Sequence, residues 1–111
     1  MLTFFTTTTA SVWQFTVTNS QGEVLPLDGA AFKIFFVNVS NNQKTQGSGT
    51  WKITDADNGV FQYRLSSTDL ADAYATQSAQ PGIAVFDVCN EITIGSDVYD
   101  PSPNRIQIRK I

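Results

Sequence analysis

The sequence predicts an all-β protein, an antiparallel β-sandwich of about seven or eight short strands. Three observations carry this. Gly59-Val60-Phe61-Gln62-Tyr63-Arg64-Leu65 alternates, with Phe61, Tyr63 and Leu65 on one side and Val60, Gln62 and Arg64 on the other. Strand side chains repeat with period 2, so three large apolar groups share one face and need a second sheet to bury it. Thr, Ser, Val, Ile and Phe are abundant, whereas the helix formers Leu, Glu and Lys are scarce. Turn signals recur roughly every 8–15 residues, the spacing of sandwiches.

A chain of 111 residues suits one domain with one independent core. No linker or fixed-period repeat divides it. Residues 1–11 read as an N-terminal arm or edge strand, and 12–111 as the sandwich. Leu2-Thr3-Phe4-Phe5 is apolar, and Thr6-Thr7-Thr8-Thr9 is β-branched and polar. The start lacks the basic region of a signal peptide, so a first strand or an arm is expected. No apolar run reaches the length of a membrane span.

Taken in order, Val12 to Thr18 alternates with Trp13, Phe15 and Val17 on one face, which marks a half-buried strand. Asn19-Ser20-Gln21-Gly22 is turn chemistry. Val24, Leu25 and Leu27 surround Pro26, which cannot donate to a ladder, so this segment is an edge or a crossing loop. After Asp28-Gly29, the stretch Phe32 to Val39 is the most apolar. Phe32, Ile34 and Phe36 share one face; Lys33, Phe35, Val37 and Val39 share the other. A strand apolar on both sides is central in a sheet or has one face against a partner. Ser40 to Gly49 reads as a flexible polar hairpin tip. Trp51 and Ile53 face inward on the returning strand. Ser66 to Asp69 offers caps for one short helical turn through Leu70–Ala73, with loop from Tyr74 to Gln80. Ile83 to Asn90 is a strand with Phe86 and Val88 inward. Gly95-Ser96-Asp97 turns the chain, and Asp100 to Asn104 is rigid and non-helical. Arg105 to Ile111 closes the chain, with Ile106, Ile108 and Lys110 on one face. The expected core is Trp13, Phe15, Phe32, Ile34, Phe36, Trp51, Ile53, Phe61, Tyr63, Leu65, Phe86, Val88, Ile106 and Ile108.

The residues for chemistry are sparse. Histidine is absent, which removes the usual general base and the commonest metal ligand. Asp55, Asp57 and Asn58 resemble half of a calcium loop, but Leu65 stands where the closing acidic ligand belongs, so an Asx turn is the better reading. Asp69 and Asp72, three apart, read as solvated cap residues. Cys89, the lone cysteine, reads as a buried structural thiol. Seven basic against ten acidic residues, a net charge of −3, argue against a phosphate-binding surface. No catalytic residue, cofactor, metal, nucleic acid or membrane is therefore expected. Trp13, Trp51 and Tyr63 lie on core faces, and Tyr99 is the aromatic expected to be exposed.

Four local patterns together resemble one family: Leu27-Asp28-Gly29-Ala30 before a strand; Gly59-Val60-Phe61-Gln62-Tyr63 after an Asp-rich turn; Ser66 to Asp69; and Pro81-Gly82-Ile83-Ala84-Val85-Phe86-Asp87-Val88 leading toward Ile106-Gln107-Ile108. This order resembles the immunoglobulin-like N-terminal domain of upper baseplate proteins from tailed bacteriophages. Ile83 stands where that family carries an aromatic, and the segments 70–80 and 97–104 are longer here. The resemblance implies an immunoglobulin-like fold and a structural, non-enzymatic virion protein, assembled in the host cytoplasm. Its partners would be other virion proteins, within a homo-oligomeric assembly. A baseplate, tail or head accessory subunit fits, as does a capsid decoration protein. The reading from another class is a carbohydrate- or cell-surface-binding sandwich carried by exposed aromatics; a hydrolase is disfavoured by the missing bases. The residues expected to touch a partner are Leu2, Phe4, Phe5, Phe35, Val37 and Tyr99. The first three would anchor an arm on a neighbouring subunit, with Leu2 to Phe5 as a first strand of the sandwich the rival reading.

Overall fold

The computed structural model describes residues 2–7, 11–18, 21–76, 82–100 and 103–109. Its strands are β1 (Leu2–Phe5), β2 (Val12–Thr16), β3 (Ala31–Asn38), β4 (Lys44–Gln46), β5 (Thr50–Asp55), β6 (Val60–Arg64), β7 (Ile83–Ile94), β8 (Asp97–Tyr99) and β9 (Asn104–Arg109), with one helix, α1 (Asp69–Tyr74). They form two sheets packed face to face. One runs β1-β9-β7-β3-β4, with β8 on β7; the other runs β2-β6-β5. This is the immunoglobulin-like arrangement, with one hairpin-rich sheet facing a smaller one.

The alternating stretch at residues 60–64 is β6, the centre of the small sheet. Phe61 pairs with Phe15 on one side and Ile53 on the other. Phe61, Tyr63 and Leu65 are buried, as the alternation requires. Gly59 makes the turn into β6 at φ +68°, and a Cβ there would lie 2.7 Å from the carbonyl oxygens of Val17 and Leu25. Only glycine fits both constraints. That close approach lets the Val17 amide donate to the Gly59 carbonyl at 2.8 Å and the Leu25 amide donate to the Val17 carbonyl at 3.0 Å.

The long strand β7 is the backbone of the large sheet. It pairs with β3 from Phe86 to Thr93, with β9 over its first half and with β8 at its end. Ile34 and Phe36 on β3, Phe86, Val88 and Ile92 on β7, and Ile106 and Ile108 on β9 point inward and are buried. They meet Tyr63, Leu65, Leu70 and Tyr74 in one cluster, and Val17, Leu27 and Phe61 in a second.

Several expectations change. The pair β1–β9 is parallel, Leu2 opposite Ile106 and Phe5 opposite Arg109, so the large sheet is mixed rather than purely antiparallel. The polar stretch 40–49 holds a short strand, β4, pairing Thr45 with Phe36. Tyr74 belongs to α1 and is buried, not looped out. Ile53 is 37% exposed. It sits on the outer strand of the small sheet beside a bulge between Ile53 and Asp55. Trp13, Phe15, Phe32 and Trp51 are half-buried at the core margin. The Thr6–Thr9 stretch and the end at Lys110 lie partly outside the described residues.

Candidate interaction surfaces

The two outer faces of the sandwich differ. On the small sheet, Gln14, Thr16, Thr50, Lys52, Gln62 and Arg64 point outward, with Val12 and Val60 as the apolar residues among them. Gln62 donates to Gln14 at 3.4 Å. That is an ordinary solvated face. On the large sheet, Phe35 lies opposite Cys89, Val37 opposite Asp87, and Val85 opposite Gln107. These side chains point outward because their neighbours Ile34, Phe36, Phe86 and Val88 point inward. Phe35, Val37, Val85 and Cys89 are each half-buried, and Ile83 is exposed. Arg105 answers Asp87 with two bonds, 2.9 and 3.3 Å, and Lys44 stands 5.7 Å from the centre of the Phe35 ring. The result is a group of apolar side chains interrupted by the Asp87–Arg105 ion pair, with Lys44 on the edge strand β4.

The expected partner residues do not share one surface. Phe35 and Val37 occupy this outer face, and Phe5 joins it at the far edge, 42% exposed. Leu2 and Phe4 point to the opposite side of the sheet, because they register with the inward-facing Ile106 and Ile108. Phe4 is half-buried against Trp13 of its own chain, ring centroids 5.2 Å apart. The segment pairs with β9 as an edge strand of its own sheet, the arrangement of the rival reading, and Phe4 packs on its own chain. Tyr99, expected to be exposed, is half-buried: it registers with inward-facing Ile92 and packs against the Val17–Leu27–Phe61–Ile92 cluster.

A cleft of about 600 Å³ opens along the flank between β2 and the β1–β9 edge, lined by aromatic and aliphatic side chains with Gln14, Asn104 and Arg105. Trp13 lines it, and its indole Nε1–H is buried with no acceptor among the described residues.

The most elaborate polar cluster is one that sequence reasoning misjudged. Asp69 is 2% exposed, not a solvated cap. Its Oδ1 accepts from the Ser48 amide at 2.9 Å and the Ser66 hydroxyl at 2.6 Å; its Oδ2 accepts from the Ser66 amide at 3.1 Å and from the Tyr63 hydroxyl. The Tyr63 oxygen in turn accepts from the Gly49 amide at 2.8 Å. A Cβ at Gly49 would collide with the Arg64 carbonyl oxygen and the Tyr63 ring, so the loop needs glycine there. Burial alone would raise the Asp69 carboxyl, but bonds from Ser48, Ser66 and Tyr63 outweigh it and hold the pKa below its ordinary value. Burial, then the bond to Asp69, pushes the Tyr63 phenol well above its ordinary value. An ionised, saturated carboxylate is a poor base, so this is a clasp joining the β4–β5 loop to the β6–α1 corner. Asp72, its sequence companion, is exposed.

The remaining candidates are quiet. Asp55 accepts from the Asn58 amide and side chain at 3.4 and 2.7 Å, closing its own turn. Among the described residues, no three His, Cys, Asp or Glu side chains gather as a metal site. Cys89 is half-buried, and burial followed by the Asp87 charge pushes its thiol up, away from thiolate chemistry. No protein-family model matches the chain, and no curated protein matches it with significance.

Proposed function

We propose that the chain is a non-enzymatic structural protein of a bacteriophage virion, a baseplate, tail or head accessory subunit that works through protein–protein contacts. The outer face of the six-stranded sheet is the contact surface of this reading. The observation that carries it is the contrast between the two outer faces, one polar and one with Phe35, Val37, Val85 and Cys89 half-exposed. The apolar side chains of this face surround the Asp87–Arg105 ion pair, which lies opposite Val37, with Lys44 on the edge strand β4. The virion assignment itself is supported by the sequence resemblance, and the non-enzymatic character by a chain without histidine whose most buried carboxylate is saturated by hydrogen bonds. The test is recovery of the chain in purified particles, and its loss when Phe35 and Val37 are both changed to serine while the isolated protein stays folded.

A further inference from the structure

We infer that Asn58 is a site of spontaneous deamidation, with the Gly59 backbone nitrogen as the nucleophile and the closed β5–β6 turn as the guard that keeps the reaction slow until the turn opens. The inference is independent of the contact surface above, and its test uses neither Phe35 nor Val37, so either can fail alone.

Asn58 is the only asparagine in the sequence followed by glycine. A following residue without Cβ leaves its amide nitrogen open to the preceding side chain and adopts the backbone angles a small ring needs. The reaction is an internal substitution. The Gly59 nitrogen gives its proton to water and attacks Cγ of Asn58. The bond from Cγ to Nδ2 breaks, and Nδ2 takes up a proton and leaves as ammonia. Water then opens the five-membered succinimide at either carbonyl, giving aspartate or isoaspartate at position 58. Water is the sole co-reactant, and nothing is oxidised or reduced. Asn58 is exposed, so water reaches it.

The closed turn engages both reacting groups elsewhere. Nδ2 of Asn58 donates to Asp55 Oδ2 at 2.7 Å, and the Asn58 backbone N–H donates to Asp55 Oδ1 at 3.4 Å. The carboxamide is thus anchored toward a residue before it, not the one after. The Gly59 amide donates to the Ala56 carbonyl at 3.2 Å, and Gly59 itself is buried. An amide so bonded, in a turn that also carries the carboxylates of Asp55 and Asp57, holds its proton. The products do not restore the turn. Aspartate at 58 sets a second carboxylate where Asp55 had a donor. Isoaspartate lengthens the main chain ahead of Gly59, which has no slack. The Gly59 carbonyl accepts from the Val17 amide at 2.8 Å, and a Cβ on Gly59 would stand 2.7 Å from the Val17 and Leu25 carbonyl oxygens. The reaction therefore runs one way and loosens the contact of Gly59 with Val17 and Leu25.

The experiment incubates the purified protein in mildly alkaline buffer, folded and in guanidinium chloride, beside the Asp55→Ala variant. Peptide mapping separates the asparagine, aspartate and isoaspartate forms at position 58 and gives the rate of conversion. The expected rate in guanidinium chloride is at least about tenfold that of the folded wild type, because the folded turn must open before it reacts. Folded Asp55→Ala, which lacks the anchor, should convert several-fold faster than folded wild type, and the converted wild type should melt at a lower temperature than the unconverted protein. Absence of conversion at Asn58 in guanidinium chloride overturns the site. A folded wild type that converts as fast as the unfolded chain overturns the guard, as does a folded Asp55→Ala that converts no faster than wild type. The wild-type comparison decides the matter even where Asp55→Ala does not fold.

Discussion

The hydroxyl of Tyr63 donates to the carboxylate of Asp69 inside the sandwich, and this bond ties the central strand of the small sheet to the only helix among the described residues. Ser48, Gly49 and Ser66 complete the cluster from two loops. A buried acceptor surrounded by donors is costly to disturb, because each orphaned donor has lost its water as well. Tyr63→Phe leaves the Gly49 amide unpaired and should cost about 1–3 kcal/mol in urea unfolding. Asp69→Asn turns an amide N–H₂ toward groups that are themselves donors, and should cost at least as much as Tyr63→Phe.

Acid should act through the same carboxylate. Its folded pKa lies below the ordinary 3.8. A depressed pKa contributes stability that is complete above the unfolded value and disappears as pH falls through the folded one. The urea midpoint of the wild type should therefore fall below about pH 4, and the gap to Asp69→Asn should narrow. Tyr63 works in the opposite sense. Its raised pKa contributes stability below the ordinary value of 10 that is lost as pH climbs beyond it, a loss Tyr63→Phe should lack. Midpoints measured across both ranges check the two signs; a gap that widens in acid contradicts the first.

Phe61 is stacked between Phe15 and Phe32, at 5.2 and 4.5 Å. It is fully buried and contacts both sheets. Phe61→Ala should cost about 3–5 kcal/mol. An unchanged unfolding midpoint would show that the central strand is not packed as described.

The first strand should matter to its own domain. Phe4→Ala removes the ring that covers Trp13 and should cost about 1–2 kcal/mol. Deleting residues 1–5 uncovers the edge of β9 as well, and should lower the melting temperature further. A deletion without effect on melting would mean that the segment belongs to a neighbour, as the free-arm reading holds.

Much of the fold is written in period-2 alternation. Ile34 and Phe36, Phe61 and Tyr63, and Ile106 and Ile108 are inward because their neighbours are not. The same arithmetic exposes Phe35 and Val37. What alternation does not encode is which strand lies at an edge, so Ile53 on β5 and the half-covered Trp13 on β2 look like full core residues in sequence. It also says nothing of pairing between distant segments: β1 meets β9 through residues about as far apart as the chain allows. Asp69 escaped for the same reason. Its donors come from Ser48, Tyr63 and Ser66, and only the folded corner gathers them. Tyr99 followed its hairpin back onto Ile92 and so turned inward.

The outer face of the six-stranded sheet is the proposed contact surface. The decisive measurement is the amount of chain in purified particles assembled with the Phe35→Ser/Val37→Ser double variant, read by quantitative mass spectrometry beside the wild type. The melting temperature of the isolated variant serves as the folding control. The expected result is wild-type chain in the particles, a folded variant, and a variant signal at least about tenfold lower, as when apolar anchors at the centre of an interface are removed. Equal incorporation of the folded variant, or particles that contain no wild-type chain at all, would contradict it.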